Sequence, residues 1–202
     1  MKSKKIPVIL LFFCAILVCL CSALQLQQQK LASHLIRLHV VANSDGEEDQ
    51  RLKLLVRDAV LAETAKLSDA DADPKKALAE HLDAICQAAQ QALLSEGCTD
   101  PVTVRLGKEP FPTRQYDTFR LPAGVYESLR VSIGNADGHN WWCVVFPSLC
   151  MAASSEDLVE AAQAAGLSDG QIRLITETNE GYTVKFKILE LLQQLKNFLW
   201  DA

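Results

Sequence analysis

None of the familiar reaction motifs occurs in this 202-residue chain. There is no G-x-G-x-x-G, no Walker A phosphate loop, no H-E-x-x-H, no C-x-x-C and no G-x-S-x-G. Their absence removes the motif-based cases for dinucleotide binding, nucleotide hydrolysis, zinc proteolysis, dithiol redox chemistry and serine hydrolysis. The four histidines, His34, His39, His81 and His139, show no metal-ligand spacing. No internal repeat, low-complexity tract or long linker divides the chain. Basic residues are also few once the N-terminus is set aside. The first 23 residues hold three lysines and no acid, which leaves 17 basic against 25 acidic residues, a net charge of −8. No basic stripe of the kind a nucleic-acid binder needs is visible, so nucleic acid is not an expected partner.

What is present begins with an apolar run. Lys2, Lys4 and Lys5 precede Ile6–Leu20, which is apolar throughout, and Cys21-Ser22-Ala23 supplies small residues in an A-x-A-like arrangement. As a helix the run reaches about 22 Å, short of a hydrocarbon core of roughly 30 Å. Continued through Leu24 it becomes marginally long enough. Residues 1–23 therefore read as a signal peptide or an uncleaved membrane anchor, and residues 24–202 as one extracytoplasmic domain. Cys19 and Cys21 follow Val18 and Leu20, where lipoprotein processing requires a small residue. Outside the membrane disulfides persist. Cys86, Cys98, Cys143 and Cys150 allow three pairings. The pair expected is Cys143 with Cys150, at a strand end and just past a proline turn.

Periodicity gives an α+β fold, with a mostly antiparallel sheet and hairpins packed on helices. Leu24–Ser33 is a Gln-rich, helical or loosely ordered lead-in. His34–Ala42 is a strand, and Asn43–Glu48 turns into a helix reaching about Leu67, capped by Ser44 with Glu47 or by Asp45 with Glu48. Asp73-Pro74 opens a second helix as N-cap and N1, and Gly97 ends it. Strands follow at Val102–Leu106, then Pro110-Phe111-Pro112 as an extended connector. Gln115–Arg120 is expected to form a hairpin with Val125–Gly134 across Pro122-Ala123-Gly124. In the latter strand Val125, Glu127, Leu129, Val131 and Ile133 share one face, and Tyr126, Ser128, Arg130 and Ser132 the other. Trp141–Phe146 is an apolar strand on which the two adjacent tryptophans point to opposite faces. Ser155 caps an Ala-rich helix that stops at Gly166. A hairpin from Gln171–Glu177 and Tyr182–Lys187 and an amphipathic helix over 188–199 complete the tail, 151–202. That last helix, with Lys185, Lys187 and Lys196 near its polar side, can dock on its own domain or lie on a membrane surface.

Three arrangements invite a chemical reading. His139 and Cys143 suggest a base and a thiol nucleophile, but four residues along a strand separate them by about 13 Å. A disulfide at Cys143 would also remove the thiol. Asn43, Asp45, Glu48 and Asp49 suggest a Ca²⁺ loop, but the EF-hand spacing is absent and helix capping accounts for them. Trp141 and Trp142 read equally well as core aromatics and as an interface anchor, a role in which tryptophan is enriched. No catalytic residue, metal or cofactor is expected.

Three blocks of residues add a resemblance. The first is Ile36-Arg37-Leu38-His39-Val40-Val41-Ala42-Asn43-Ser44-Asp45, followed by Asp49-Gln50, Lys53 and Val56-Arg57-Asp58-Ala59-Val60. The second is Phe111-Pro112-Thr113 with Tyr116. The third runs from Pro122-Ala123-Gly124-x-Tyr126 through Gly134 to Asn140-Trp141-Trp142-Cys143-Val144-Val145-Phe146-Pro147-Ser148-Leu149-Cys150. Over residues 34–150 the chain resembles stage II sporulation protein R, a family of endospore-forming bacteria, with Ser148 where a second proline is expected. The tail after Cys150 matches weakly, and nothing is carried over to it.

The resemblance implies a signalling protein. Such a protein is made in the forespore, exported, and active in the space between the two sporulating cells. There it triggers a membrane-embedded aspartic protease of the mother cell to cleave the pro-form of sigma-E. It implies partner-binding roles for Asn43, Asp45, Tyr116, Pro122, Gly124, Tyr126, Trp141 and Trp142. Arg37, Arg57 and Asp58 match the pattern and read also as structural ion pairs. A motif Gly or Pro, for its part, can specify a turn and nothing more. The rival readings are a secreted cysteine hydrolase acting on cell wall or peptides through Cys143, and an adhesive surface domain without a signalling partner.

Overall fold

The computed structural model describes residues 5–67, 73–149 and 154–176, with Lys187, Glu190 and Leu191 beyond them. Residues 8–32 contain neither Gly nor Pro, and the apolar run and the Gln-rich lead-in form a single helix, α1 (Lys5–Ala32). Within it Leu11–Ala32 is long and apolar enough to cross a membrane, with a mean hydropathy of 1.8, as a signal sequence would also be. Its N-terminal part exposes Leu11, Phe12 and Phe13, whereas its last turn buries Gln28, Leu31 and Ala32. The apolar helix is thus compatible with a signal or an anchor, and its end belongs to the fold.

The remaining elements are β1 (Ile36–Val41), α2 (Glu47–Thr64), α3 (Pro74–Glu80), α4 (Leu82–Ser95), β2 (Val102–Phe111), β3 (Arg114–Gln115), β4 (Arg120–Leu121), β5 (Gly124–Ile133), β6 (Asn140–Phe146), α5 (Ser155–Ala164) and α6 (Asp169–Thr176). Four strands make one sheet in the order β2-β5-β1-β6. β2–β5 and β1–β6 pair antiparallel and β1–β5 parallel, so the fold is α+β with a mixed sheet.

All six residues of β1 are buried, because the strand lies between two layers. On one face Ile36, Leu38 and Val40 meet Leu129, Val131 and Ile133 of β5, and Cys143 and Val145 of β6. Helices α2 and α4 cover them with Leu52, Val56 and Val60, and Ile85, Ala89 and Leu93, at the spacing that gives a helix one apolar stripe. Each of these valine, leucine and isoleucine side chains contributes about 1.5–3 kcal/mol relative to exposure. On the other face Phe111, Tyr126 and Val144 pack with Leu31 and Leu35, and with Leu158 and Ala162 of α5 and Ile172 and Ile175 of α6.

Several local expectations change. β5 pairs along its whole length with β2, from Val102↔Ile133 to Phe111↔Gly124, and the stretch before it folds only into the two-residue ladder β3–β4. Pro110 lies inside β2, an edge strand, where its missing N–H breaks no interior ladder. The helix expected from 74 to 96 is broken at His81 into α3 and α4, although Asp73 caps α3 and Pro74 sits in its first turn as expected. Neither capping box forms at α2, whose N-cap is Gly46 without a side-chain bond. At α5 the capping residue is Ser154, in a capping box with Asp157, and not Ser155. Residues 171–176 are helical, and the hairpin expected there does not form. The rest of that hairpin, 177–186, and nearly all of the 188–199 helix lie outside the described residues.

Candidate functional site

The residues singled out from the sequence gather in three places, and each has a distinct physical role.

The Asn43–Asp45 corner clasps the loop between β5 and β6. Asn43 Oδ1 accepts from the Asn135 N–H at 2.9 Å, and its Nδ2 donates to Asp49 at 3.1 Å. The Ser44 hydroxyl donates to the same carboxylate, so Asp49 gathers the two side chains that precede the helix. Gly134 turns the chain here with φ 55°, and a Cβ on it would lie 2.3 Å from Asn43 Oδ1. Asp45 is exposed, accepts from the His139 backbone N–H at 2.6 Å and bonds the His139 ring. Lys53 is buried below, donating to the His139 carbonyl at 3.0 Å, and desolvation lowers its pKa. Asn43→Ala is expected to cost about 0.5–1.5 kcal/mol, because it removes the bonds to the exposed Asn135 N–H and to Asp49, which keeps the Ser44 hydroxyl. Denaturant titration should show the loss, and amide exchange should show it concentrated at Asn135.

The Pro122–Tyr126 turn and Tyr116 enclose Arg37. The guanidinium carbon stands 4.1 Å from the Phe111 ring centroid and 5.0 Å from that of Tyr126. Nη2 donates to the Tyr116 hydroxyl at 2.8 Å, and Tyr116 stacks on Phe119 at 4.4 Å. Arg37 is 0% exposed, and no carboxylate forms an ion pair with it among the described residues. The Tyr126 hydroxyl donates to the Pro122 carbonyl at 2.7 Å, and burial pushes its pKa up to about 12. Gly124 admits the end of α1: a Cβ there would come within 1.9 Å of Gln28 Nε2. Pro122, Gly124 and Tyr126 are buried, and what they position is the junction between α1 and the sheet.

The third place is β6. Trp141 packs toward the α2–α4 layer and Trp142 toward the opposite face, both partly exposed, as adjacent residues on a strand must. Each carries an arginine. Arg57, which also pairs with Asp58 at 2.7 Å, lies 5.0 Å from the Trp141 ring, and Arg114 lies 3.8 Å from that of Trp142. Two half-buried indoles with stacked guanidinia on one sheet edge provide flat, pre-positioned contact area of the composition seen at interface hot spots.

Behind Trp142 lies a polar network that no local sequence signal announces. His39, 5.6 Å from the Trp142 ring, bonds Glu109 at 3.1 Å and Asn140 at 2.7 Å, and Arg130 donates to Glu109 at 3.0 Å. Burial by itself would raise the Glu109 carboxyl, but the hydrogen bonds from His39 and Arg130 oppose it, and its pKa lies below the ordinary value. The alternation of Ser128, Arg130 and Ser132 marked the face but not the partner, which sits about 20 residues away on β2.

Cys143 is disulfide-bonded and fully buried. Cys150, the partner expected for it, lies outside the described residues. A bonded, buried sulfur supplies no thiolate, which overturns the thiol-hydrolase reading at this position. His139, its supposed base, is instead held by Asp45. Cys86 and Cys98 are free. No group of side chains suited to a metal ion occurs among the described residues.

Residues 32–156 match the family model described as Stage II sporulation protein R. Over 185 residues the chain is 32% identical to Stage II sporulation protein R of Bacillus subtilis (strain 168), covering 79% of this chain and 80% of that protein. No solved structure matches it. The chain belongs to the stage II sporulation protein R family.

Proposed function

We propose that this chain is the exported signal of a sporulating cell. In this reading it leaves the forespore by its apolar N-terminal helix. In the space between forespore and mother cell it activates a membrane-embedded aspartic protease that processes pro-sigma-E. It acts as a ligand and catalyses nothing. The observation that carries the reading is the pair of arginine-stacked tryptophans on β6, inside the family-matched residues. They supply an anchor for a partner at a place where Cys143 offers no nucleophile.

Activation by contact has a thermodynamic requirement. The ligand must bind the active arrangement of the protease more tightly than the inactive one, because it shifts the equilibrium only by that difference. Rigid, half-buried aromatics suit the task, since little conformational freedom is lost when they dock. The end of α1, seated in the core through Leu31 and Ala32, holds the domain near a membrane if the helix is retained. Cleavage after Ala23 would leave that seat intact.

The test is co-expression of the full chain, the protease and the sigma precursor in a host without sporulation proteins. Processing should need both the chain and the protease. It should stop when the apolar N-terminal run is deleted and the chain stays in the cytosol. Processing that continues without the protease would refute the proposal.

A further inference from the structure

The sheet face that carries Trp142 sets two arginines directly against each other. Strand register places Arg105 of β2 directly opposite Arg130 of β5, Arg130 opposite His39 of β1, and His39 opposite Trp142 of β6. Like charges at directly opposed positions destabilise a sheet. One carboxylate lies nearby, and Glu109 is already shared between Arg130 and His39. Gly107, between Arg105 and Glu109 on the same strand face, has open space around it, so no side chain fills the middle of the row. Arg105 is exposed and forms no ion pair among the described residues. Around it Thr103, Ser128 and Ser132 line a trough of about 520 Å³. Outside its first 23 residues the chain is strongly acidic, so this arginine pair runs against the charge of its own molecule.

The geometry points to the trough as a docking site for an acidic, extended peptide segment of the protein partner, its carboxylates received by Arg105 and Arg130 on the sheet face that also carries the Trp142 anchor. Guanidinium forks suit carboxylates because they donate two parallel hydrogen bonds in a fixed plane. A flat, pleated surface edged by the Thr103 and Ser132 hydroxyls suits an extended chain. The inference rests on the reading of this chain as a protein ligand and adds the chemistry of what it grips.

Arg105→Glu separates binding from folding, because the two respond in opposite directions. A glutamate opposite Arg130 replaces a repulsive rung with an attractive one, so Tm should rise. The site meanwhile loses a cation and gains an anion. The probe is a fluorescein-labelled hexaglutamate peptide titrated with the full chain in detergent at low salt, alongside phosphatidylglycerol vesicles. The wild-type chain should bind the peptide, added salt should weaken binding, and Arg105→Glu should bind about tenfold more weakly or worse. Triggering in the co-expression assay should fall with it. Equal peptide binding by the two chains, binding to vesicles alone, or full triggering by Arg105→Glu would overturn the inference. A wild-type chain that binds the peptide but triggers nothing would refute the signalling proposal instead and leave the trough standing.

Discussion

Trp142→Ala should fold and fail to trigger. Truncating an interface hot spot costs 2 kcal/mol or more, which is about thirtyfold in affinity. Trp142 has the attributes of one: it is half-buried, its ring meets His39, and Arg114 stacks on it at 3.8 Å. The substitution also removes packing from the sheet's second face, so a thermal melt must accompany the triggering assay. Trp142→Phe keeps an aromatic against His39 while shrinking the outer surface, and should leave a native melt with reduced triggering. A folded Trp142→Ala chain that triggers like the parent would mean that the anchor lies elsewhere. An unfolded one shifts the decision to Trp142→Phe, where full activity would count against this choice in the same way.

The second large effect concerns Arg37. Among the described residues the fully buried guanidinium has one side-chain hydrogen-bond partner, the Tyr116 hydroxyl, and its Nε and Nη1 have none. Its position is held by the Phe111 and Tyr126 rings, and a desolvated cation over aromatic faces is worth about 2 kcal/mol or more. Arg37→Ala empties a site between two layers, and truncation of a large core side chain costs about 2–5 kcal/mol. Against a total of roughly 5–15 kcal/mol, that loss is severe. Arg37→Met refills the volume and removes the burden of a buried charge, so it should recover most of the stability. Urea denaturation of both variants decides the matter. An Arg37→Ala chain within about 1 kcal/mol of the parent would contradict a structural role for the cage.

This cage shows why part of the fold was legible in the sequence and part was not. Alternation in β5 and the apolar run of β6 followed from local pattern, as did the Asp73-Pro74 start of α3. Which strands pair did not. The turn residues Pro122-Ala123-Gly124 suggested a hairpin with the residues just before them, yet β5 reaches back to β2 and lies beside β1, about ninety residues away. Long-range pairing leaves no mark on local spacing. The turn residues Asn179-Glu180-Gly181 suggest a hairpin arm over 171–177, but the buried residues there are Ile172 and Ile175, three apart, as one helix face requires. Packing on the second core decides the helix, and a nearby turn signal does not.

The candidate sites divide along the same line. Tryptophans on a strand point to opposite faces whatever the fold, so Trp141 and Trp142 could be placed without a structure. Asn43, Gly124 and Tyr126 stood out as motif residues, but only the structure shows what each meets: the 135–139 loop, Gln28 and Arg37. The network of His39, Glu109 and Arg130 joins three strands that meet only in the folded sheet. No one of these residues signals the others in sequence.

The central claim is that the chain works through contact alone, and reconstitution tests it most directly. Purified full-length chain, protease and sigma precursor are combined in proteoliposomes, and cleavage is followed as the chain is titrated. The account predicts no cleavage by the chain alone and little by the protease alone. With both present, cleavage should rise and saturate once the protease is fully bound. Cleavage of the precursor by this chain without the protease, or protease activity indifferent to its addition, would contradict it.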